Sequence, residues 1–220
     1  MKNLSGLLLL LALAACNQSQ NQHLDLSGEW KVCLDTENLG FPELWEGAEF
    51  TETVTLPGSL AENGLGEDIT LNTLWTGQVV DSSWYHAEKY APYREEGNIK
   101  IPFWLQPEKK YLGAAWYQKT VKIPKKWDQK LILLHLERPH WESSVWIDGQ
   151  EIGKQNSLAT PHSYRVDPYL KPGKRVISIR VDNRIKEVNP GINSHSIADH
   201  TQSNWNGLVG DLSLEALPLV

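Results

Sequence analysis

The chain has 220 residues, a mass of 24.9 kDa, 40% hydrophobic residues and a formal net charge of −6. This acidic balance, without a basic run, argues against the clustered Lys and Arg side chains that bind nucleic acid. The length suits one sizeable β-domain that buries about 70% of its unfolded surface.

The N-terminus has the pattern of a signal peptide. Lys2 gives a positive start, the apolar run 7–13 follows, and Ala14 and Ala15 are the small residues expected before a cleavage point. The apolar run is too short to span a bilayer. We therefore predict that residues 1–15 are a signal peptide and that the mature protein is exported.

The sequence Leu-Ala-Ala-Cys at 13–16 resembles the bacterial lipoprotein box, in which the cysteine becomes the lipidated first residue. We therefore predict a lipid anchor at Cys16 that holds the chain on the bacterial envelope, at the outer membrane on its periplasmic or surface face. The polar residues 16–23 are predicted to form a tether. The folded domain is then expected over 24–220.

Cys33 is the second of two cysteines, and with Cys16 lipidated no disulfide is expected. It lies in the apolar segment 30–34. A small buried residue is the first interpretation, and a catalytic thiol is the alternative.

Short runs of β-branched and aromatic residues, bounded by Gly, Pro, Asn and Asp, recur along the chain, while helical periodicity is nearly absent. The sequence therefore predicts an all-β domain. Regular alternation of strands and turns is typical of β-sandwiches and jelly rolls. The last predicted strand is expected at an edge or as a return strand. The predicted strands are 29–34, 51–56, 116–123, 131–136, 144–147, 150–154, 162–166, 175–182 and 208–217.

Two dipeptides mark turns. Pro57-Gly58 is expected to end the second strand, because this pair cannot continue a ladder. Asp148-Gly149 predicts a two-residue hairpin. Residues 61–112, called the excursion below, are less regular and rich in aromatic side chains. These side chains either pack the excursion onto the sandwich or form a platform on which sugars stack. They are Trp75, Trp84, Tyr85, Tyr90, Tyr93, Phe103, Trp104 and Tyr111.

The stretch 181–210 concentrates polar side chains between the last two predicted strands. Long ordered loops between strands are often functional. Amides and carboxylates suit sugar hydroxyls, and an indole suits a sugar's C–H face, so a sugar-binding surface is predicted here. A polar cap on the sandwich is one alternative. A metal site at His195, Asp199 and His200 is another, although the prediction is for no metal and no other cofactor. The candidate sugar-binding residues are Asp182, Asn183, His195, Asp199, Asn204 and Trp205.

Common catalytic motifs are absent from the sequence: Gly-x-Ser-x-Gly, His-Glu-x-x-His, a Gly-rich phosphate loop and Cys-x-x-Cys. Glycoside hydrolysis needs two carboxylates across a cleft, but 27 acidic residues do not single out a pair. No catalytic residue is therefore predicted. Trp141-Glu142 is a second polar and aromatic spot, interpreted as a structural corner.

A series of motifs stands in a defined order along the chain: Gly-Glu-Trp at 28–30, Thr-Val-Thr-Leu-Pro-Gly-Ser at 53–59, Ala-Trp-Tyr-Gln-Lys-Thr-Val at 115–121, Val-Trp-Ile-Asp-Gly-Gln-Glu-Ile-Gly at 145–153, Tyr-Arg-Val-Asp-Pro-Tyr-Leu-Lys-Pro-Gly at 164–173, Val-Asp-Asn at 181–183 and Asn-Trp-Asn-Gly-Leu-Val-Gly at 204–210. In this order they resemble the N-terminal sugar-binding domain of glycoside hydrolase family 2. The resemblance covers almost all of the predicted mature chain. It implies a jelly-roll sandwich of the galactose-binding-domain-like type.

The resemblance also implies a function. The family includes β-galactosidases, β-glucuronidases and β-mannosidases, whose catalytic glutamates lie in a (β/α)8 barrel that follows an immunoglobulin-like domain. This chain is expected to be the carbohydrate-binding module of a β-galactosidase-like enzyme, inactive without those domains. Its expected partners are carbohydrate and the missing domains. A free-standing, lipid-anchored carbohydrate-binding protein and a purely structural assembly surface are the alternatives.

Two residues carry specific implications of the resemblance. In the galactosidases a carboxylate of this domain reaches the active site in the barrel, and by position Asp182 resembles it. Trp205 resembles the tryptophan in the family's turn before the last strand, where a packing role is implied.

Overall fold

The computed structural model describes residues 22–40, 50–77, 79–186, 194–195, 197–200 and 202–219. Within these ranges, thirteen β-strands alternate with three short 3-10 helices, Ser82–Tyr85, Glu88–Arg94 and Lys125–Trp127. The strands are β1 (His23–Asp25), β2 (Gly28–Asp35), β3 (Glu52–Leu56), β4 (Gly58–Ser59), β5 (Glu67–Asp68), β6 (Lys109–Lys110), β7 (Ala114–Ile123), β8 (Leu131–Pro139), β9 (Glu142–Ile147), β10 (Gln150–Asn156), β11 (His162–Arg165), β12 (Gly173–Asp182) and β13 (Gly207–Leu217).

The strands build two antiparallel sheets with one core between them. One sheet has five strands in the order β1-β13-β8-β11, with β4 also paired to β13. The other has six strands in the order β10-β9-β12-β7-β2-β3. Strands β5 and β6 form a separate short pair in the excursion. The predicted all-β jelly-roll sandwich is therefore confirmed.

The core follows from the period of two along each strand. In β8, Ile132, Leu134 and Leu136 are buried and alternate with residues that are only half-buried, as expected when successive side chains point to opposite faces. Each such side chain stabilises the fold by about 1.5–3 kcal/mol when fully buried. Residues from both sheets complete the core, among them Trp30, Tyr117, Val145, Tyr164, Ile177, Ile179, Leu212 and Leu214.

The outer face of the six-stranded sheet also carries buried side chains. Trp116 on β7 and Trp146 on β9 are buried there, with ring centroids 4.7 Å apart. All six residues of β9 are buried, so this strand is covered on both faces. Strand β12 lies between β7 and β9 and ends at Asp182. The stretch 181–210 begins at this end of the strand and is called the polar stretch below.

One detail of the chain path agrees with the predictions and two differ. β3 ends at Leu56, as Pro57-Gly58 predicts, and the chain then crosses to the opposite sheet, where Gly58–Ser59 forms β4 and pairs with β13. This approach is close: a Cβ on Gly207 would collide with the carbonyl oxygen of Gly58. The last strand is not at an edge, since β1, β4 and β8 all pair with it. His23, predicted to lie in the tether, is the first residue of β1 and pairs with Glu215.

The hairpin between β9 and β10 turns as predicted. Asp148 and Gly149 both have positive φ, +48° and +82°, the backbone of a type I′ turn. Asp148 also accepts a hydrogen bond from the backbone N of Val176, at 2.8 Å. The predicted turn chemistry is therefore confirmed, and the carboxylate fastens the turn to β12.

Cys33 is half-buried instead of fully buried, because it points to the face of β2 opposite that of Val32. Burial raises the pKa of its thiol, and the carboxylates of Asp35 and Glu52 raise it further. The thiolate is the nucleophilic form of cysteine. This environment therefore disfavours the catalytic-thiol alternative.

Candidate functional site

The polar stretch leaves β12 after Asp182 and returns to the sheet as β13. Its described residues 194–206, called the polar loop below and comprising 194–195, 197–200 and 202–206, lie against the excursion. The backbone N of Trp104 donates to the His200 carbonyl oxygen at 3.3 Å. The Ser203 hydroxyl donates to the Leu105 carbonyl oxygen at 3.0 Å. Two segments far apart in sequence thus form one surface.

Asn183 fixes the start of the polar stretch. Its side-chain oxygen accepts from the backbone N of Gly113 at 2.8 Å, and its amide donates to the Tyr111 carbonyl oxygen at 2.8 Å. The carbonyl oxygen of Asn183 accepts from the Asn204 side chain at 3.0 Å. Both asparagine side chains are buried. The two side chains therefore provide hydrogen bonds to buried backbone groups that have no partner in a β-sheet beyond the end of β12.

Asn206 fixes the other end of the stretch. Its side-chain amide donates to the carbonyl oxygens of Gly113 and Val181, both at 3.0 Å. Its side-chain oxygen accepts from the Tyr117 hydroxyl at 2.8 Å. The start and the end of the polar stretch are thus joined to the same glycine beneath them.

Asp199 ties the polar loop to the excursion through a buried ion pair. Its carboxylate lies 2.9 Å from Lys110 Nζ, and both side chains are almost fully buried. It also accepts from the backbone N of Thr76 at 2.6 Å and of Asn204 at 3.0 Å. Lys110 Nζ lies 5.3 Å from the centroid of the Trp75 ring. Breaking such a pair leaves an uncompensated buried charge, so the two segments are held together firmly.

Asp182 lies beneath three cations. Its carboxylate is 2.6 Å from Arg184 Nη2, 2.7 Å from Lys186 Nζ and 3.0 Å from Arg180 Nη2. Burial alone would raise the pKa of this carboxyl, but hydrogen bonds from Arg184 and Lys186 outweigh burial and hold the pKa well below its ordinary value. Asp182 is therefore ionised and fully paired.

Glu142, at the predicted structural corner, is a second buried carboxylate of the same network. Its oxygens lie 2.6 Å from Lys186 Nζ and 2.9 Å from Lys154 Nζ. Burial would raise its pKa, but the two lysines hold it below the ordinary value. The network lines an open cleft of about 600 Å³ on the outer face of the six-stranded sheet, floored by Trp116 and Trp146.

His140 stacks on Trp205 of the polar loop. Their ring centroids are 4.4 Å apart with an interplanar angle of 15°, and the edge of Trp141 meets His140 at 5.4 Å. Burial lowers the pKa of His140 to about 4, against a smaller opposing effect of the Asn204 side chain. The imidazole is therefore neutral at pH 7 and packs as a flat ring against the indole.

Residues 75–218 match the family model for the sugar binding domain of glycosyl hydrolases family 2. This range covers well over half of the chain. The chain belongs to glycosyl hydrolase family 2. The matched range of this family 2 domain contains most of the excursion and the whole polar stretch. The family-like motifs at 28–30 and 53–59 precede it.

The family 2 domain is similar to parts of longer curated enzymes. A putative β-glucuronidase of Formosa agariphila is 34% identical over 74 residues, which are 34% of this chain and 7% of that protein. A β-galactosidase of Thermoanaerobacter pseudethanolicus is 26% identical over 89 residues, 40% of this chain and 12% of that protein. A β-glucuronidase of Paenibacillus borealis is 20% identical over 160 residues, 72% of this chain and 21% of that protein. The chain thus spans about a fifth or less of these relatives.

Solved structures share the fold. The β-glucuronidase of Ruminococcus gnavus has a TM-score of 0.60 and 19% identity, covering 90% of this chain and 28% of that chain. The β-glucuronidase of an uncultured Clostridium sp. has a TM-score of 0.58 and 17% identity, covering 90% and 29%. At these identities the likeness shows the fold alone, and the sandwich of the family 2 domain agrees with it.

Most of the candidate sugar-binding residues lie below the surface of the domain. Asp182, Asn183 and Asp199 are 0% exposed and Asn204 is 2% exposed, and all four hold the backbone or other side chains. His195 is exposed and Trp205 is half-buried, so sugar contact at the surface stays a prediction for these two. Asp182, which resembles a carboxylate that reaches a neighbouring domain, is buried and paired with the cationic side chains around it.

Trp104 is one of the excursion aromatics that the sequence predicts either to pack onto the sandwich or to form a sugar-stacking platform. It is 87% exposed, although its backbone is bonded to the polar loop, and Leu105 beside it is 62% exposed. The run Pro-Phe-Trp-Leu at 102–105, which is apolar but lacks the alternation of a strand, is the sequence signal that sets it apart from the other aromatics. Tyr111, by contrast, is buried in the core and packs the excursion onto the sandwich. Trp84 is buried within the excursion, where its indole N donates to the Lys100 carbonyl oxygen.

Other predicted features lie partly outside the described ranges. Residues 1–21, with the predicted signal peptide and Cys16, are not among them. Within the described residues, no three or more His, Cys, Asp or Glu side chains are grouped to hold a metal ion. No helix in the same ranges is long and apolar enough to cross a membrane.

Proposed function

We propose that this chain is the N-terminal carbohydrate-binding domain of a family 2 β-glycosidase, β-galactosidase-like or β-glucuronidase-like. The observation that carries the proposal is the match to the family's sugar binding domain over 75–218. In this role the domain holds carbohydrate next to a catalytic domain. No hydrolytic step is assigned to the residues of this chain.

The rigidity of the polar loop supports carbohydrate binding. Sugar hydroxyls exchange hydrogen bonds with water for hydrogen bonds with protein, so the gain is small unless the protein surface is ordered beforehand. Here Asp199, Asn183 and Asn206 fasten the loop from below through buried hydrogen bonds. Ligand binding therefore does not have to order this part of the backbone.

The surface of the excursion supports a docked position beside further domains. Val80 is 73% exposed, Leu105 62% and Tyr85 57%. Exposed apolar side chains concentrated in one segment are typical of interaction surfaces. The immunoglobulin-like and barrel domains of family 2 are the proposed partners. These side chains favour this role over a free-standing carbohydrate-binding protein.

Isothermal titration calorimetry tests the carbohydrate proposal. The purified protein is titrated with methyl β-D-galactopyranoside, methyl β-D-glucuronide and methyl β-D-mannopyranoside, with the methyl α-anomers as matched controls. A saturable heat is expected for at least one β-glycoside, with a Kd on the order of 1 mM or tighter. Intact near-UV circular dichroism with no saturable heat for any glycoside would contradict the proposal.

A chromogenic assay tests the assignment of no hydrolysis to this chain. The 4-nitrophenyl β-glycosides of galactose, glucuronic acid and mannose are expected to remain uncleaved. Turnover that survives repurification would show that the chain itself carries catalytic carboxylates.

We also propose that the protein is exported and anchored to the bacterial envelope by a lipid on Cys16. Expression of the full chain in a Gram-negative host is expected to place it in the membrane fraction. The Cys16→Ser variant is expected in the soluble fraction, and equal fractionation of the two proteins would exclude the anchor.

A further inference from the structure

Trp104 stands out among the described aromatic side chains because it is 87% exposed. An indole buries 150–250 Å² when it packs against protein, so leaving one in water forgoes a large stabilisation. Nothing in the local sequence prevents packing, since neighbouring Phe103 meets the Trp75 ring edge-on at 5.0 Å between centroids. The exposure of Trp104 is therefore a feature of the surface that needs a ligand or partner to explain it.

The backbone around Trp104 is held on both sides. Its own N donates to His200, and the carbonyl oxygen of Leu105 accepts from Ser203. His200 and Ser203 belong to the polar loop, which is itself anchored by the buried ion pair between Asp199 and Lys110. The backbone is thus fixed while the indole projects into solvent, which is the arrangement of a rigid aromatic contact residue.

Polar groups of the polar loop lie beside the backbone of Trp104 and Leu105. Gln202 lies between His200 and Ser203, the two residues bonded to the backbone of 104–105, and its side chain is exposed. An aromatic face next to amide and hydroxyl groups complements a pyranose ring, which has an apolar C–H face and a polar edge. Leu74, although 88% exposed, offers no such flat face.

We propose that the Trp104 indole is a stacking platform for a pyranose ring of the bound β-glycoside, with the sugar's hydroxyl edge directed toward His200, Gln202 and Ser203. This inference rests on the proposed carbohydrate-binding function and adds to it the residue that contacts the ligand. The ligand class is a β-linked pyranoside with a continuous C–H face, such as a β-galactoside or a β-glucuronide.

The test compares Trp104→Ala and Trp104→Phe with Leu74→Ala as the matched control of equal exposure. The methyl β-glycoside that binds the wild-type protein is titrated into each variant by calorimetry. Trp104→Ala is expected to weaken the Kd roughly tenfold, Trp104→Phe by less, and Leu74→Ala not measurably. All three are expected to unfold within a few degrees of the wild-type protein, because exposed side chains contribute little to stability.

An NMR readout separates stacking from an indirect effect. The wild-type chain has ten indole N–H groups, and the resonance missing from Trp104→Phe identifies Trp104. That resonance is expected to shift in proportion to saturation by the sugar.

The outcomes are distinguishable. Wild-type binding that is equally strong in Trp104→Ala overturns the stacking role and leaves the carbohydrate-binding function standing. Equal weakening in Leu74→Ala and Trp104→Ala overturns it too, since a nonspecific apolar surface would then explain the loss. A wild-type protein that binds none of the glycosides overturns both proposals.

Discussion

Asn206 uses both ends of its side-chain amide inside the protein, to two carbonyl oxygens and the Tyr117 hydroxyl. Asn206→Ala would leave those three groups without their partner in a buried place. We expect a loss of about 3 kcal/mol in the free energy of unfolding, measured by urea denaturation. Tyr117→Phe, which removes only the hydroxyl, is the control and is expected to cost about 1 kcal/mol. Equal effects of the two changes would contradict the bridging role of Asn206.

Asp182 gives the stability of the domain a defined pH dependence. Its folded pKa lies below the unfolded value of about 3.9. The ionised form therefore stabilises the fold fully above that value, and this stability is lost as pH falls through the unfolded pKa toward the folded one. Asp182→Asn is expected to cost about 3 kcal/mol at pH 7, because it leaves Arg180, Arg184 and Lys186 without their shared carboxylate.

The difference between wild-type protein and Asp182→Asn should shrink as the pH is lowered, because Asp182 takes up its proton in the unfolded chain at a higher pH than in the folded domain, which favours unfolding of the wild-type protein. Urea denaturation at pH 7 and at about pH 3 measures it. A difference that stays constant over this range would show that the ion pairs contribute nothing to stability.

At the scale of elements, the polar loop and the excursion behave as one unit through Lys110 and Asp199. Asp199→Asn would leave a buried ammonium without its counter-charge, so we expect a destabilisation of about 3–5 kcal/mol. Lys110→Met combined with Asp199→Asn removes both charges and should recover part of the loss.

Hydrogen exchange shows where the loosening occurs. The amides of Thr76 and Asn204 both donate to the Asp199 carboxylate. They are expected to exchange faster in Asp199→Asn, whereas amides in the centre of β7 should keep their relative protection. Uniform acceleration across the sheet would mean that the ion pair supports the whole fold and not this junction.

Long strands such as β8 were predictable from sequence because they carry several repeats of the period-two pattern. Strands β1 and β4 have three and two residues, too few for any pattern. The interior place of β13 depends on its pairing with β1, β4 and β8, which are set by contacts distant in sequence. Residue identity alone does not specify such neighbours.

The candidate site was predictable as a place, but the roles of its side chains were not. Asparagine serves equally to bind a ligand or to satisfy a backbone group, and only the buried carbonyls of Gly113 and Tyr111 decide the role of Asn183. For Asp182 a signal was present: Arg180 and Arg184 are each two residues from it, and Lys186 is four residues from it. Residues at even spacing along an extended chain point to the same side, which brings the three cations to this carboxylate at the end of β12.

At the scale of the whole molecule, the side chains of the family 2 domain that hold the polar loop in place are different from the exposed side chains that are available to contact a ligand. Buried carboxylates and amides hold the polar loop, and the loop holds the backbone of 104–105. The exposed side chains among these described residues include Trp104, Leu105, His195 and Gln202. Substitution of the buried groups should therefore change stability and binding together, whereas substitution of Trp104 should change binding alone.

A crystal structure of the protein with the methyl β-glycoside that binds in calorimetry tests this separation most directly. The sugar ring is expected on the Trp104 indole, beside His200, Gln202 and Ser203, with the hydrogen bonds that hold the polar loop from below unchanged. A sugar bound away from this surface, or one bonded directly to Asp182 in the cleft of the ion-pair network, would contradict it.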